Sequence, residues 1–481
     1  MTNTAIIEKT KNNSTTDNLG TQINKEIKFT FFIKDKNVIA QLEQRGMQSM
    51  REVQYRAYNK VFEGHNVMIQ SNTGSGKTLA YLLPLIMSER RGLIIVPTYE
   101  LATQTYHVAK TFTSRVGINA GKLCVDLHAD ILISTLGKCR EMQMADRVFC
   151  CIDEADRILE NDMFLNGCFK QFILVSATID EAKILRRLVR RCGRWMKIST
   201  QTKNIHEQIR IIDCDLDNEC EETGSDEKIA FYRVSVTNEQ RIREFYMKIE
   251  YDHKLFIFVE LLKRNRNKKV IVFFNTINSV VFYHNLLKRM NFNVIAIFGK
   301  INQQKRKAIV EKYETIGGVL LCTDLMSRGF DFKSIDLVVH FEPSFNLDGY
   351  IHRKGRAGRN KSGKSILFLS NLEVKLTDGI NRIRELVYIE KKFLERNKST
   401  HRVSFGDIPL SNSVYSGSLV PRIQKMVKND FVLHKMAVDA LKSFLRIYEG
   451  NTGKNFNVDS LNLNDIARAF GLKEIPILDF V

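Results

Sequence analysis

Ten short apolar runs organise the chain. NVMIQ, GLIIV, DILIS, VFCCI and FILVS form a first series within residues 66–176, and KVIVFF, NVIAIF, GVLLCT, DLVVHF and KSILFL a second within residues 269–369. The runs are rich in β-branched and aromatic residues, and many stretches between them read as helices. Continuous apolar runs alternating with helices predict strands buried on both faces of a parallel sheet. Two series predict two α/β domains. Residues 1–26 are rich in Asn, Thr and Lys, which predicts disorder. The stretch IIDCDLDNECEETGSDEK (residues 211–228) is acidic, lacks strand or helix periodicity and reads as an exposed insertion or linker. Beyond about residue 376 the strand signal fades. LVPRIQKMVKNDFVLHKMAVDALKSFLRIYE reads as helix broken in two, with Leu433, Ala437, Leu441, Phe444 and Tyr448 on one apolar stripe. The stripe is expected to be the core of a third, small helical unit. The expected division is a tail (1–26), a first α/β domain (27–204), an acidic linker (205–244), a second α/β domain (245–375) and a helical extension (376–481).

Composition adds a partner class. Of 481 residues, 73 are Lys or Arg and 54 are Asp or Glu, a formal net charge of +19, which favours a polyanion such as nucleic acid. No stretch of about 20 apolar residues is long enough to span a bilayer, so no membrane partner is expected. The first residues lack the apolar core of a signal peptide. The nine cysteines are scattered without a CxxC pair, which argues against a disulfide framework or zinc site and fits a reducing compartment, cytosol or nucleus.

The chemistry is expected where strands end, because open α/β sheets gather ligands at their carboxyl edges. After VMIQ comes SNTGSGKT, comprising Ser71, Asn72, Thr73, Gly74, Ser75, Gly76, Lys77 and Thr78. The glycines let backbone amides approach phosphate, Lys77 brings positive charge to the terminal phosphates, and Thr78 offers a hydroxyl to Mg²⁺. After VFCCI come Asp153, Glu154 and Asp156. Asp153 is suited to hold Mg²⁺ through water. Glu154 is suited to orient or deprotonate an attacking water. Asp156 is expected to bond the Ser176 and Thr178 that end the next strand. In the second series, His352, Arg353, Arg356 and Arg359 fall within eight residues. Arg356 and Arg359, three apart, share a helix face and can act as arginine fingers across a cleft. A site completed only when the domains close couples hydrolysis to their movement.

In this order, these residues resemble the DEAD-box ATP-dependent RNA helicases over roughly residues 28–375. The resemblance implies two tandem RecA-like parallel-sheet domains with a small, mostly helical C-terminal extension. It implies that Gln54 reads adenine, Phe29 stacks on the base, and Asp331 meets the ribose. PTYELA (97–102), STLGK (134–138), SAT (176–178), FFNT (273–276), TDLMSRGFD (323–331) and HRKGRAGR (352–359) match the family's motifs, with His352 coupling the domains. An RNA face is implied at Pro97, Thr98, Thr135, Gly137, Gln303, Arg306, Thr323, Asp324, Arg328 and Gly329. Such contacts to phosphate and sugar are largely blind to sequence, and 2′-hydroxyl contacts favour RNA.

Departures from the family pattern lie in the first domain. Tyr99 and Lys138 stand where arginines are usual, Arg51-Glu52 precede Gln54 in place of Pro-Thr, and no Gly-Gly element is visible. The segment between DEAD and SAT is short. An intact ATP site with a weaker RNA grip is the expectation. The tail, with FNVDSLNLNDIARAFGLKEIP, resembles the extension of helicases of large ribosomal subunit assembly. That implies a nucleolar enzyme using ATP and Mg²⁺, acting as a monomer on pre-ribosomal RNA in pre-60S particles. An ATP-gated RNA clamp or assembly scaffold with little unwinding is the alternative.

Overall fold

The computed structural model describes residues 27–72, 74–139, 147–159, 169–178, 185, 209–213, 229–236, 242–327, 332, 335–358, 362–377, 384–385, 419–451 and 461–477. It forms a small unit ending at Arg51 and a large one from Glu52 onward. In the small unit, Phe29 is buried in a short 3₁₀ turn, Phe29–Phe31. Helix α1 (Lys36–Gln44) follows, capped by the Asp35 carboxylate, which accepts from Asn37 N at 2.8 Å and Val38 N at 3.2 Å.

The large unit holds two sheets. The first contains β1 (Asn66–Ser71), β2 (Gly92–Val96), β3 (Val116–Ala120), β4 (Leu123–Val125), β5 (Ile131–Thr135), β6 (Phe149–Asp153), β7 (Gln171–Ser176), β8 (Ile209–Asp213) and β9 (Ile229–Val236). Their order is β4-β3-β5-β2-β6-β7-β1-β9-β8, parallel throughout except for the β3–β4 hairpin at one edge. Helices α2 (Glu52–Glu63), α3 (Lys77–Met87), α4 (Tyr99–Phe112), α5 (Leu136–Cys139) and α6 (Ala155–Ile158) connect them. The second sheet contains β10 (Ile242–Lys248), β11 (Val270–Phe273), β12 (Val294–Ile297), β13 (Val319–Cys322), β14 (Leu337–His340), β15 (Gly363–Leu369) and β16 (Arg384–Glu385). Its order is β12-β13-β11-β14-β15-β10-β16, all parallel. Its helices are α7 (Tyr251–Arg264), α8 (Ile277–Arg289), α9 (Gln303–Ile316) and α10 (Leu347–Lys354). All ten apolar runs are strands: β1, β2, β5, β6 and β7, then β11 to β15.

Two expectations need correction. Residues 205–244 are not simply a linker: β8 and β9 extend the first sheet beside β1, and β10 is an inner strand of the second. β9 buries Phe231, Tyr232, Val234 and Val236, enough apolar surface to keep it on the sheet. The acidic residues 214–228 lie outside the described residues, as does the expected disordered tail 1–26.

The C-terminal helices α11 (Leu419–Asn429), α12 (Phe431–Glu449) and α13 (Leu463–Ala469) are also not a third unit. The Leu433–Tyr448 stripe is buried, but it packs in one continuous core with α7, α8 and one face of the second sheet. Phe444 meets Tyr251 edge-on at 5.9 Å, and Tyr283 donates its hydroxyl to Ala469 O at 2.7 Å. Arg289 and Asp430 close the outer edge with an ion pair of 2.6 Å. A stripe this apolar needs a partner surface, and the second domain supplies it.

Candidate nucleotide and nucleic-acid site

β6, β7 and β1 are neighbours, so their carboxyl ends deliver three motifs side by side. From β1 the chain enters the 71–78 loop. Gly74 (φ 79°) and Gly76 (φ 95°) take the left-handed conformation that glycine tolerates. Such turns aim successive backbone N–H groups at an anion. The buried hydroxyls of Ser71 and Ser75 have no hydrogen-bond partner among the described residues. Lys77 opens α3, its ammonium donating to the carbonyls of Ser71 and, at 2.9 Å, Asn72. Buried Gln54 donates to Gly76 O at 3.2 Å, tying α2 to the loop. Amides, hydroxyls and one ammonium make a fitting cradle for a polyphosphate.

From β6 come the acids. Asp153 accepts from the Tyr81 hydroxyl at 3.0 Å and from Glu154 N at 2.9 Å. Burial, then the Glu154 charge, push its pKa up to about 6, against the pull of Lys77. A hard cation beside Asp153 and the half-buried Thr78 would relieve that penalty, so these oxygen donors fit Mg²⁺. Glu154 sits in the left-handed region at φ 56°, a costly backbone for a non-glycine residue. The turn starts α6 and leaves Glu154 between Asp153 and Asp156.

Asp156 joins the two sheets. One carboxylate oxygen accepts from Ser176 Oγ at 2.8 Å at the end of β7, and the other lies 3.3 Å from His352 Nε2 of the second sheet's α10. Thr178 N in turn donates to Ser176 Oγ at 3.2 Å. His352 is fully buried and its Nε2 also lies 3.5 Å from Glu154. Arg356 is not on a helix face as expected: α10 ends at Lys354 with Gly355 as its cap, and Arg356 lies in the turn beyond, buried, with its Nε 3.4 Å from His352 O.

In the first sheet, the expected RNA face follows the ends of β2 and β5, which pair Val96 with Thr135. Thr98 caps α4, accepting from Leu101 N at 3.2 Å, beside the half-buried Pro97. Gly137 is exposed, with open space where a Cβ would stand. In the second sheet, Thr323 and Asp324 follow β13. Both Asp324 carboxylate oxygens take the Arg353 guanidinium, at 2.5 and 3.0 Å. Arg306 forms a 2.5 Å ion pair with Glu100 of α4, the pair spanning the two sheets. A Cβ on Gly121 would stand 3.0 Å from the Tyr99 ring and 3.2 Å from Gln303 Nε2, so the β3–β4 turn meets the second domain here. Thr73, Arg328, Gly329, Asp331 and Arg359 lie outside the described residues, and Phe29 belongs to the small unit.

Sequence reading passed over Tyr81 and Glu342, and gave no individual role to Glu100 and Asn275 within the matched PTYELA and FFNT. Tyr81 had a usable signal, since it lies four residues after Lys77 and shares its helix face. The others act through partners far along the chain.

Comparison with known proteins gives matches across this architecture. Residues 51–186 match the family described as DEAD/DEAH box helicase, and residues 253–361 the helicase conserved C-terminal domain. Residues 430–478 match the C-terminal extension described as ATP-dependent rRNA helicase SPB4-like. The human ATP-dependent RNA helicase DDX18 is 30% identical over 479 residues, covering 92% of this chain, which spans 65% of that relative's length. The Kluyveromyces lactis ATP-dependent RNA helicase HAS1 is 28% identical, covering 90% of this chain and 85% of its own. The structure of Mss116p bound to ssRNA and AMP-PNP superposes with a TM-score of 0.69 at 20% identity, covering 95% of this chain and 94% of that one. S. cerevisiae Dbp5 bound to RNA and ADP BeF3 gives 0.60 at 19% identity, covering 77% and 98%. The fold is therefore that of two tandem RecA-like domains with a helical C-terminal region.

Proposed function

Because the chain belongs to the DEAD-box helicase family, we propose that it is an ATP-dependent RNA helicase, an RNA-stimulated ATPase that remodels pre-ribosomal RNA in large-subunit assembly. The observation that carries this reading is the Asp156 carboxylate, bonded at once to Ser176 of the first sheet and placed beside His352 of the second. Hydrolytic residues and the domain contact then share one patch, as an enzyme coupling ATP turnover to closure requires.

Ser71 to Thr78 hold the phosphates, with Lys77 as the main positive charge, and Gln54 and Asp331 hold the nucleoside. Thr78, by its hydroxyl, and Asp153, through water, would hold Mg²⁺, which would supply charge neutralisation at the phosphates. Glu154 orients the attacking water and accepts its proton. Arg356 and Arg359 meet the γ-phosphate charge as it develops. Pro97, Thr98, Thr135, Gly137, Gln303, Arg306, Thr323, Asp324, Arg328 and Gly329 line the RNA path. The relatives' names support RNA as the substrate, and the matched extension, described as that of an rRNA helicase, supports ribosomal RNA; a nucleolar site of action follows from that substrate, and a monomer is the simplest assembly.

The test is steady-state ATP hydrolysis without nucleic acid, with RNA, and with DNA of equal length. Stimulation by RNA alone is expected. Glu154→Gln is expected to keep ATP binding and lose about 10²-fold or more in kcat, in line with loss of a general base. Equal stimulation by DNA, or unchanged turnover in Glu154→Gln, would refute the reading.

A further inference from the structure

A line of buried charge runs behind α10 towards the C-terminal helices. β11, β13 and β14 are adjacent, so the segments following them emerge together and surround the fully buried Arg353. Besides Asp324, its guanidinium donates to Asn275 Oδ1 at 2.7 Å and to the Glu342 carbonyl at 2.7 Å. The Glu342 carboxylate accepts from Asn275 N at 2.6 Å and from Ser279 Oγ at 2.7 Å. Glu342 thus holds Arg353 directly through its backbone and indirectly through Asn275.

Behind Glu342 stands Lys254 of α7, only 1% exposed. Its ammonium lies 4.8 Å from the Tyr251 ring and 5.3 Å from the Phe341 ring, and its charge partners are Glu373 and Glu342. Burial lowers the Lys254 pKa and raises that of Glu342, and each charge partly offsets the other's penalty. Glu373 accepts from the Tyr251 hydroxyl at 2.8 Å and from Ser370 N at 2.7 Å. Stability alone gives little reason to keep such a set, because apolar residues of equal volume commonly serve a core as well or better. What the set does supply is a fixed direction for Asn275 and Arg353.

We propose that Lys254 and Glu342 are positioning residues for ATP hydrolysis. Together they fix Asn275 and Arg353, and thereby hold α10 so that His352 and Arg356 meet the first sheet in register. The proposal rests on the hydrolytic reading above. It concerns residues outside the proposed nucleotide and RNA sites.

The test uses the full-length protein and reads kcat and KM for ATP with RNA saturating, together with amide exchange across residues 347–358. Glu342→Gln keeps the volume and an acceptor but removes the charge. It is expected to lower kcat about 10-fold or more, as small misplacements in a catalytic constellation do, with KM for ATP within about two-fold. Amides of α10 should exchange faster while those of α12 keep their protection. Unchanged kcat and unchanged α10 exchange in folded Glu342→Gln overturn the proposal. Lys254→Met strands two buried carboxylates, so its melting temperature should also fall. Combining it with Glu342→Gln and Glu373→Gln neutralises the set and should restore the melting temperature but not kcat. Recovery of both would show that the charges serve only the fold, and would overturn the proposal. A wild-type protein without ATPase activity would refute the hydrolytic reading instead. Exchange confined to α10 in Glu342→Gln would still support the positioning role, and unchanged exchange would still sink it.

Discussion

Asp153 is buried, and its ionisation is opposed by desolvation and by Glu154. Its carboxyl titrates at about 6 in the folded chain, against an ordinary value of 3.8. Folding therefore favours the protonated form. The stabilising contribution is complete below about pH 4 and lost as pH rises through about 6. In the nucleotide-free protein, Asp153→Asn should gain stability relative to wild type between pH 4 and pH 8, by about 1–3 kcal/mol at the upper end. Thermal melts of both proteins across that range check this, and a stability difference that stays flat with pH would show that the folded Asp153 titrates normally. The same residue marks how far the sequence could be read. Lys77, Asp153, Glu154 and Ser176 were legible because each ends or follows a strand whose apolar run is unmistakable. Glu100 and Glu342 were not, because the partner that gives each its meaning lies on another element, as Arg306 does for Glu100. Their motifs offer no local pattern that points there.

Among elements, a strand was legible when its apolar run was unbroken. β3 carries Gly117 and Asn119 within a fully buried strand, and β9 carries Arg233 and Ser235, so neither announced itself. The stretch around β8 and β9 was read by its acidity, a surface property, while its apolar residues settled onto the sheet. The α12 stripe was legible as a stripe, but amphipathicity alone does not name the surface it covers. That surface is the second domain: Phe444 lies 5.9 Å from the Tyr251 ring of α7, and within the extension it is flanked by Tyr448 at 5.5 Å and Phe470 at 5.8 Å. Phe444→Ala should cost about 3–5 kcal/mol, the range for aromatic truncation in a packed core. Because the core is shared, amides of β11 and α12 should lose protection together on hydrogen exchange. Loss confined to α12 would mean that the extension folds as its own unit.

At the scale of the molecule, the question is what joins the two sheets. Among the described residues, two places where they meet are Asp156 and Glu154 with His352, and Glu100 with Arg306 beside the Tyr99–Gly121–Gln303 contact. The first belongs to the proposed hydrolytic site. The second lies on elements expected to meet RNA, and its ion pair is sheltered, with side chains 11% and 14% exposed. A pair that sheltered is more than a surface salt bridge, which contributes little. If it helps to hold the sheets closed, Glu100 and Arg306 act as one unit even though only Arg306 can attract phosphate. Glu100→Gln, Arg306→Gln and the double variant should then be non-additive in RNA-stimulated kcat/KM, with a coupling of about 0.5–3 kcal/mol. Arg306 acting on RNA alone predicts a different outcome. Glu100→Gln would be silent or would tighten RNA binding by removing a negative charge, and the effects would add. Only Arg306→Gln would then lessen the dependence of RNA affinity on salt, by about one released counterion. Measuring the cycle at two salt concentrations separates a domain bolt from a phosphate contact. The bolt requires that both single variants weaken stimulation by similar amounts and that the second substitution adds little to the first.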